Sequence, residues 1–286
     1  MRLSVWLVGF IFLFFVAMIL MSIGFQRVLP HVQVRKDIVQ TNQAKQQFFR
    51  EMINPVASLA AIATATASAY LNSTPAANPV PPVITGEKAY NVPILLYHYI
   101  SKNENKKDTI RTGLSTPPDV FEAQLSLLSQ RGFTTITMDE LAAAFSGTVT
   151  LPAKPVILTF DDGYEDFYIN AVPLLKKYNM KGMSFIPTGL MGGGNYMTWP
   201  QIEELAHTPN VVFGAHSVHH YVLPNMNDVQ LNKEVIDSKQ VLESHVGYRI
   251  NWFCYPYGSF DARVVGVVKN AGFIGSLTTL PGVWHY

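Results

Sequence analysis

The stretch that most constrains the fold runs from Val156 to Gly163, where a short apolar run leads directly into two carboxylates and a glycine. The run is too short for a helix and follows Pro155, so it predicts a buried strand of a parallel sheet. Asp161 and Asp162 cannot both point into an apolar core without partners. The sequence therefore predicts a turn at the strand end, with the glycine allowing a sharp bend. Within such a turn one carboxylate can bind a metal while the other handles a proton; helix capping by Asp162 is the structural alternative.

Strand and helix patterns alternate through the rest of the carboxyl-terminal part. Strands are predicted over Val92–Tyr97, Val156–Phe160, Met183–Ile186, Val211–Gly214, Trp252–Tyr255 and Phe273–Leu277. Helices are predicted over Pro118–Gln130, Met138–Phe145, Ile169–Tyr178, Trp199–Ala206, Asp228–Val246 and Asp261–Asn270. This alternation predicts an α/β fold with a parallel sheet covered by helices, open or closed into a barrel. In either form the chemistry is expected at the carboxyl ends of the strands.

The amino-terminal part has a different composition. Leu3–Phe25 carries no charge and is long enough to cross a hydrocarbon core of about 30 Å, which exceeds the apolar run of a cleaved signal peptide. We expect a transmembrane helix as a membrane anchor over 1–26, a stalk and linker with helical segments over 27–87, and the catalytic domain over 88–286. Basic residues flank the apolar run on both sides, and the charge-bias rule taken literally would keep the domain inside.

The net charge and the cysteine content exclude several kinds of partner and site. The net charge is +1, so nothing indicates a nucleic-acid partner. The single cysteine, Cys254, excludes an internal disulfide and any zinc site built on several cysteines. A monomer is expected.

A second motif holds three of the eight histidines within five residues, at His216, His219 and His220. His216 and His220 are four positions apart, so one helical turn is expected to put both on one face, with His219 off that face and not a ligand. With Asp162 they form a set of two histidines and one carboxylate for a divalent metal. Iron oxygenases use the same set, but the adjacent Asp161 favours hydrolysis because it can act as a general base.

The third motif is Phe253–Gly258, at the end of another predicted strand. Pro256 and Gly258 fix a bend that can aim the backbone N–H of Tyr257 at a developing oxyanion. A plain strand-to-helix turn explains the same residues, and they do not decide between the two.

Together, Thr159–Gly163, His216-Ser217-x-x-His220 and Tyr255–Gly258 resemble the motifs of the polysaccharide deacetylases of the NodB-homology group, carbohydrate esterase family four. Pro93–Ile100, Phe121–Leu125 and Gly132–Ile136 resemble the same group. The resemblance covers about residues 90 to 283. It implies a distorted (β/α) barrel of about seven strands. It also implies metal-dependent removal of acetyl groups from N-acetylglucosamine-type sugars in a polymer.

The resemblance also implies roles for individual residues. Asp161 matches the catalytic base, and the backbone N–H of Tyr257 matches the oxyanion donor. Asp162, His216 and His220 match the metal ligands. The ligand types make Zn²⁺ the expected metal, with Co²⁺ and Ni²⁺ as alternatives.

Two departures from the family pattern stand out. Many members have an arginine that steadies the base at the position of Cys254. The late Leu-x-His motif that supplies the general acid is not visible, which leaves His98 and His285 as candidates. Trp199 and Tyr257 are candidates for stacking on sugar rings, with core packing as the alternative for Trp199.

The expected function is a membrane-anchored deacetylase acting on peptidoglycan or on exported poly-N-acetylglucosamine. Because such polymers lie outside the cytoplasm, we expect a single-pass protein of the cell membrane with an extracellular catalytic domain. An esterase cutting O-acetyl groups from a polysaccharide, and a catalytically silent glycan-binding protein, are the alternatives.

Overall fold

The computed structural model describes residues 89–285. The predicted anchor over 1–26 and stalk over 27–87 lie outside the described residues. Within 89–285, no helix is both long enough and apolar enough to cross a bilayer.

Strands and helices alternate through this region. The strands are β1 (Tyr90–Asn91), β2 (Ile94–Tyr97), β3 (Thr134–Thr135), β4 (Pro155–Phe160), β5 (Gly182–Ile186), β6 (Val211–Ala215), β7 (Trp252–Cys254), β8 (Gly275–Leu277) and β9 (Trp284–His285). The α-helices are α1 (Thr109–Leu114), α2 (Pro118–Gln130), α3 (Met138–Phe145), α4 (Val172–Lys177), α5 (Trp199–Ala206), α6 (Asp228–Val246) and α7 (Ala262–Asn270). A π-helix, Phe167–Ala171, leads into α4 and replaces the first part of the helix predicted over Ile169–Tyr178.

Seven strands form one sheet in the order β2-β4-β5-β6-β7-β8, with β3 paired to the start of β4. Every pairing in this sheet is parallel, so the predicted α/β class with about seven strands is confirmed. The predicted closure into a barrel is not confirmed, because over residues 89–285 β2 and β8 are edge strands of a half-barrel. The chain leaves β8 and pairs β9 with β1, as an antiparallel ribbon, instead of pairing β8 with β2.

The core lies on both faces of this sheet. Alternate residues of β4 point to opposite sides, as the pleat of a strand requires. Val156, Leu158 and Phe160 pack in the larger apolar cluster, under the helices. Ile157 packs in a second cluster with Phe185, among others. The apolar run at the centre of the sequence is therefore a strand buried on both faces, as predicted.

Local capping explains why several predicted helix bounds are correct. The longest helix, α6, begins after Asn227, whose side chain accepts the N–H of Gln230 while the Gln230 side chain accepts the N–H of Asn227. It ends at Gly247, whose φ of 77° suits glycine at a helix end. The same reciprocal capping starts α3 and α5.

Candidate metal centre

The predicted site residues all follow strands of the sheet. Asp161 and Asp162 come directly after β4, His216 comes directly after β6, and Tyr257 lies three residues beyond β7. The N–H of Asp161 bonds to the carbonyl of Tyr97 at 2.9 Å, which extends the pairing of β4 with β2. Because the strands are parallel, their carboxyl ends meet at one edge and bring these residues together.

Three of these side chains converge on one point. Nε2 of His216 lies 3.3 Å, and Nε2 of His220 lies 3.1 Å, from the same oxygen, Oδ1 of Asp162. The two imidazole rings are 4.7 Å apart between centroids. Asp162 and His216 are buried, whereas His220 is partly open to solvent. The structure therefore brings together the three residues predicted as metal ligands.

The contacts of this oxygen fit a cation. Oδ1 of Asp162 is buried, yet it has no properly aligned hydrogen bond to any of the residues described, despite two nitrogens within 3.3 Å. One carboxylate oxygen and two imidazole nitrogens form the donor set typical of a catalytic zinc site. Asp162, His216 and His220 thus fit a divalent cation of this type.

The orientation of His216 is fixed from behind. Its Nδ1 lies 2.7 Å from the carbonyl oxygen of Cys254. A carbonyl can only accept, so Nδ1 carries the proton and Nε2 of the neutral ring presents its lone pair to the centre. This backbone contact is the kind of outer interaction that orients metal-binding histidines.

The loop between the two histidines is not helical, and the predicted helical turn over His216–His220 is wrong. Ser217 and His220 have left-handed backbone angles, with φ of 64° and 59°. The loop reverses the chain so that both rings face Asp162, while the ring of His219 turns to Glu234, at 2.6 Å between Nδ1 and Oε1. The pairing of the histidines was predictable from their spacing, but the backbone that achieves it was not.

Asp161 lies beside this centre and has a partner that the sequence did not predict. The thiol of Cys254 donates to Oδ2 of Asp161 at 3.3 Å. Burial raises the pKa of the Cys254 thiol well above its usual value, and the charge of Asp161 raises it further, so the sulfur keeps its proton and donates. Asp161, His216 and Cys254 also lie close enough to form a second potential donor group, which shares His216 with the first.

Electrostatics at the site are dominated by the two carboxylates. Burial raises the pKa of Asp162, but the imidazoles of His216 and His220 outweigh this and hold it well below the usual range. Burial lowers the pKa of His216, yet the Asp162 and Asp161 carboxylates raise it overall. His98 directly follows β2, at the same edge of the sheet as the centre, and burial lowers its pKa against the opposing influence of the same carboxylates.

The other residues that the sequence suggested for catalysis or sugar binding differ in their distance from the centre. The Tyr257 ring contacts the His220 ring at 4.5 Å, and Tyr257 has a φ of 59°. His285 binds the carbonyl of Val92 at 2.9 Å, ahead of β2, and therefore lies at the opposite end of the strands. His285 as the general acid is thus wrong. Trp199 is stacked on His245 and packs against the core.

Sequence reasoning missed a stack of tyrosines next to the centre. The ring of Tyr164 stacks on Tyr99 at 3.8 Å and on Tyr196 at 5.3 Å. Arg111 lies over the outer face of Tyr99, at 4.3 Å from the ring centroid. Tyr164 follows Asp162 by two residues in the loop after β4, and burial raises its pKa, with the charge of Asp162 adding to this rise. The signal was available, because Tyr99 and Tyr164 follow predicted strand ends.

The half-barrel and the Asp161 carboxylate beside the ligand group fit a hydrolase, and comparisons with known proteins identify its class. Residues 148–275 match the family model described as Polysaccharide deacetylase. The chain is 30% identical over 199 residues to "Putative polysaccharide deacetylase YxkH" of Bacillus subtilis (strain 168), which covers 70% of this chain and 68% of that protein.

Two further comparisons extend this agreement. Poly-beta-1,6-N-acetyl-D-glucosamine N-deacetylase of Staphylococcus aureus (strain MRSA252) is 26% identical over 190 residues, covering 62% of this chain and 63% of that protein, less than two thirds. The structure of the Streptococcus pyogenes deacetylase PplD in complex with acetate superposes with a TM-score of 0.61 at 29% identity. This superposition covers 65% of this chain and 82% of PplD.

The chain belongs to the polysaccharide deacetylase family. The resemblance on which the sequence prediction rested is therefore confirmed, and so is the prediction that the chain is an enzyme of the polysaccharide N-deacetylase type.

Proposed function

We propose that this protein is a metal-dependent deacetylase that removes N-acetyl groups from N-acetylglucosamine-type residues of peptidoglycan or of an exported poly-N-acetylglucosamine. The observation that carries the proposal is the convergence of His216, His220 and Asp162, with the carboxylate of Asp161 beside them. The name of the Staphylococcus aureus relative supports a polymer of N-acetylglucosamine.

Asp162, His216 and His220 would hold the cation, for which Zn²⁺ is the first choice and Co²⁺ and Ni²⁺ are alternatives. When bound, such a cation supplies Lewis-acid polarisation of the amide carbonyl and activation of water. His216 contributes Nε2, because its Nδ1 is held by the carbonyl of Cys254.

Asp161 takes the proton of the attacking water in this proposal. Its two oxygens have different surroundings: Oδ2 accepts from the thiol of Cys254, while Oδ1 is buried and accepts no hydrogen bond from the described residues. Oδ1 is therefore the oxygen that receives the proton, and Cys254 sets the direction in which it points.

Other groups complete the reaction. The backbone N–H of Tyr257 donates to the oxyanion of the tetrahedral intermediate, since Tyr257 lies against His220 at the edge of the centre. His98 is the candidate donor of a proton to the leaving amine, because it directly follows β2 at the carboxyl edge of the sheet, where the centre lies. In the stack of Tyr99, Tyr164 and Tyr196 the inner rings are covered by their neighbours and by Arg111, so the far face of Tyr196 is the ring face available for a sugar.

The location of the protein is also part of the proposal. The uncharged run over residues 3–25 would anchor the chain in the cell membrane, with the catalytic domain outside, where its polymer lies. Protease added to intact cells should then remove the catalytic domain, whereas protection until the membrane is opened would contradict an external domain.

Acetate release tests the activity directly. We expect release from oligomers of β-1,6-linked N-acetylglucosamine or from peptidoglycan, and loss of this release after chelation of the metal. Release only from an O-acetylated glycan would identify an O-acetyl esterase instead. A preparation with metal bound that releases acetate from none of these substrates would indicate a catalytically silent glycan-binding protein.

A further inference from the structure

We infer that Glu234, on α6, is a positioning residue that holds the loop between His216 and His220 in its metal-binding shape. Among the described residues, three carboxylates are buried: Asp161, Asp162 and Glu234. The first two belong to the centre itself. Glu234 lies outside the ligand set, and its carboxylate is directed entirely at the loop.

Glu234 makes three contacts with this short segment. Its Oε2 accepts the backbone N–H of Val218 at 2.9 Å and that of His219 at 2.8 Å. Its Oε1 lies 2.6 Å from Nδ1 of His219. Hydrogen bonds to a carboxylate are roughly twice as strong as neutral ones, so these contacts define the position of the loop strongly.

The loop needs such support because its backbone is strained. Ser217 and His220 have φ of 64° and 59°, and each such angle costs a residue other than glycine about 1 kcal/mol or more. Without a helix, the N–H groups between the histidines lack helical partners, and the two carboxylate bonds satisfy those of Val218 and His219. Ser217 adds a side-chain bond to the N–H of His220 at 3.0 Å.

The consequence concerns His220 more than His216. The ring of His216 is held independently by the carbonyl of Cys254. His220 follows the loop directly, and the placement of its Nε2 at 3.1 Å from Asp162 depends on how the loop reverses. Loss of the Glu234 carboxylate should therefore displace one ligand of the set and leave the other in place.

Metal affinity of the full 286-residue chain tests this inference, which rests on the proposed function. Zn²⁺ affinity is measured by competition with a chromophoric chelator, and the visible spectrum of bound Co²⁺ reports the coordination. Glu234→Ala should weaken Zn²⁺ binding by about 10–100-fold, the usual range for outer partners of metal ligands, and should change the Co²⁺ spectrum. Glu234→Gln, which keeps one acceptor oxygen, should recover part of the affinity.

Two matched controls separate positioning from general damage. Asp237→Ala, on the same helix but half-exposed and paired with Lys233, should bind Zn²⁺ like the unchanged protein. His219→Ala keeps both backbone bonds to Glu234 and should lose much less affinity than Glu234→Ala. If Glu234→Ala does not fold, the reduced affinity expected of Glu234→Gln carries the test.

The outcomes distinguish this inference from the proposed function. Folded Glu234 variants with unchanged Zn²⁺ affinity and an unchanged Co²⁺ spectrum would overturn the positioning role while leaving the metal centre intact. An unchanged protein that binds neither cation would overturn the metal-dependent function itself, and the inference with it.

Discussion

The sulfur of Cys254 lies 3.3 Å from Oδ2 of Asp161, and both side chains are buried. Many relatives are expected to have an arginine at this position, so here a neutral thiol replaces a cation beside the proposed base. A thiol can orient the carboxylate without neutralising its charge. The same residue holds His216 through its backbone carbonyl, so Cys254 contacts both the base and a ligand.

Replacement of this thiol should lower turnover without removing the metal. Cys254→Ala deletes the donor to Asp161, and a hydrogen bond to a charged group contributes about 1.5–3 kcal/mol, so the rate should fall by about tenfold or more. Metal content should be unchanged because the carbonyl that holds His216 belongs to the backbone. Cys254→Ser retains a donor and should be the more active of the two; equal activity of Cys254→Ala and the unchanged protein would refute the orienting role.

Loss of the base should separate chemistry from metal binding. Asp161→Asn has the same shape but cannot take a proton, and a general base typically contributes about 10²–10⁴-fold. Acetate release should fall in that range, while metal analysis of the purified protein should give the same content. A variant that loses its metal together with its activity would place Asp161 among the ligands.

Removal of a proposed ligand should abolish metal binding together with activity. Asp162→Ala deletes the oxygen on which both imidazoles converge, so the purified variant should contain little metal and release no acetate. Chelation should inactivate the unchanged protein, and added Zn²⁺ or Co²⁺ should restore it. Asp119→Ala, exposed on α2, serves as the control and should retain both; full metal content in Asp162→Ala would contradict the ligand assignment.

The ion pair between Glu140 and Lys181 is expected to contribute to stability in a pH-dependent way. Burial raises the pKa of Glu140, but Lys181 at 2.6 Å and the N–H of Thr137 at 2.7 Å outweigh this and hold the pKa below its ordinary value. A carboxylate with a lowered folded pKa stabilises the protein above the unfolded pKa of about 4.3, and this contribution is lost as the pH falls through the folded value.

Glu140→Gln should therefore destabilise the fold at neutral pH by less than about 1 kcal/mol, since the ion pair is partly exposed. The difference from the unchanged protein should shrink as the pH falls below about 4. Urea unfolding at several pH values measures it. Glu104→Gln, in the exposed pair with Lys102, should change stability at no pH; a constant Glu140→Gln difference across the range would exclude the charge as its cause.

A pair of glycine substitutions tests the packing beneath the site. A Cβ on Gly214, two residues before His216, would collide with the Phe185 ring and approach the Trp252 carbonyl at 3.1 Å, and overpacking costs about 1–3 kcal/mol. Gly266, within α7, has open space around it, so Gly266→Ala should stabilise by about 0.5–1 kcal/mol. Urea unfolding should show a lower free energy of unfolding for Gly214→Ala and a higher one for Gly266→Ala. A Gly214→Ala variant of unchanged stability would show that the Phe185 ring can move aside at little cost.

Much of the fold was predictable because local signals agree with it. The helices over Pro118–Gln130, Trp199–Ala206 and Asp228–Val246 have the predicted bounds, since capping residues or a proline start them. The ribbon of β1 and β9 was not predictable, because it joins two-residue segments from opposite ends of the domain and depends on packing rather than on local pattern.

The candidate site divides in the same way. Asp161, Asp162, His216 and His220 stand in motifs whose spacing along the chain is recognisable. Their supporting contacts are not, because Cys254 is 93 residues from Asp161, and Glu234 reaches the loop only through the packing of α6. Backbone conformation was equally hidden, since histidine and serine rarely adopt a positive φ.

The ribbon of β1 and β9 also fixes the end of the sheet at which the chain enters the domain. β1 enters at the amino end of β2, whereas the metal-type centre opens at the carboxyl ends of β4 and β6. A segment that precedes residue 89 therefore joins the domain at the amino ends of the strands. This end lies one strand length, on the order of 15 Å, from the reacting groups. In the anchored arrangement proposed above, the centre would therefore face away from the membrane, on the side from which an external polymer approaches.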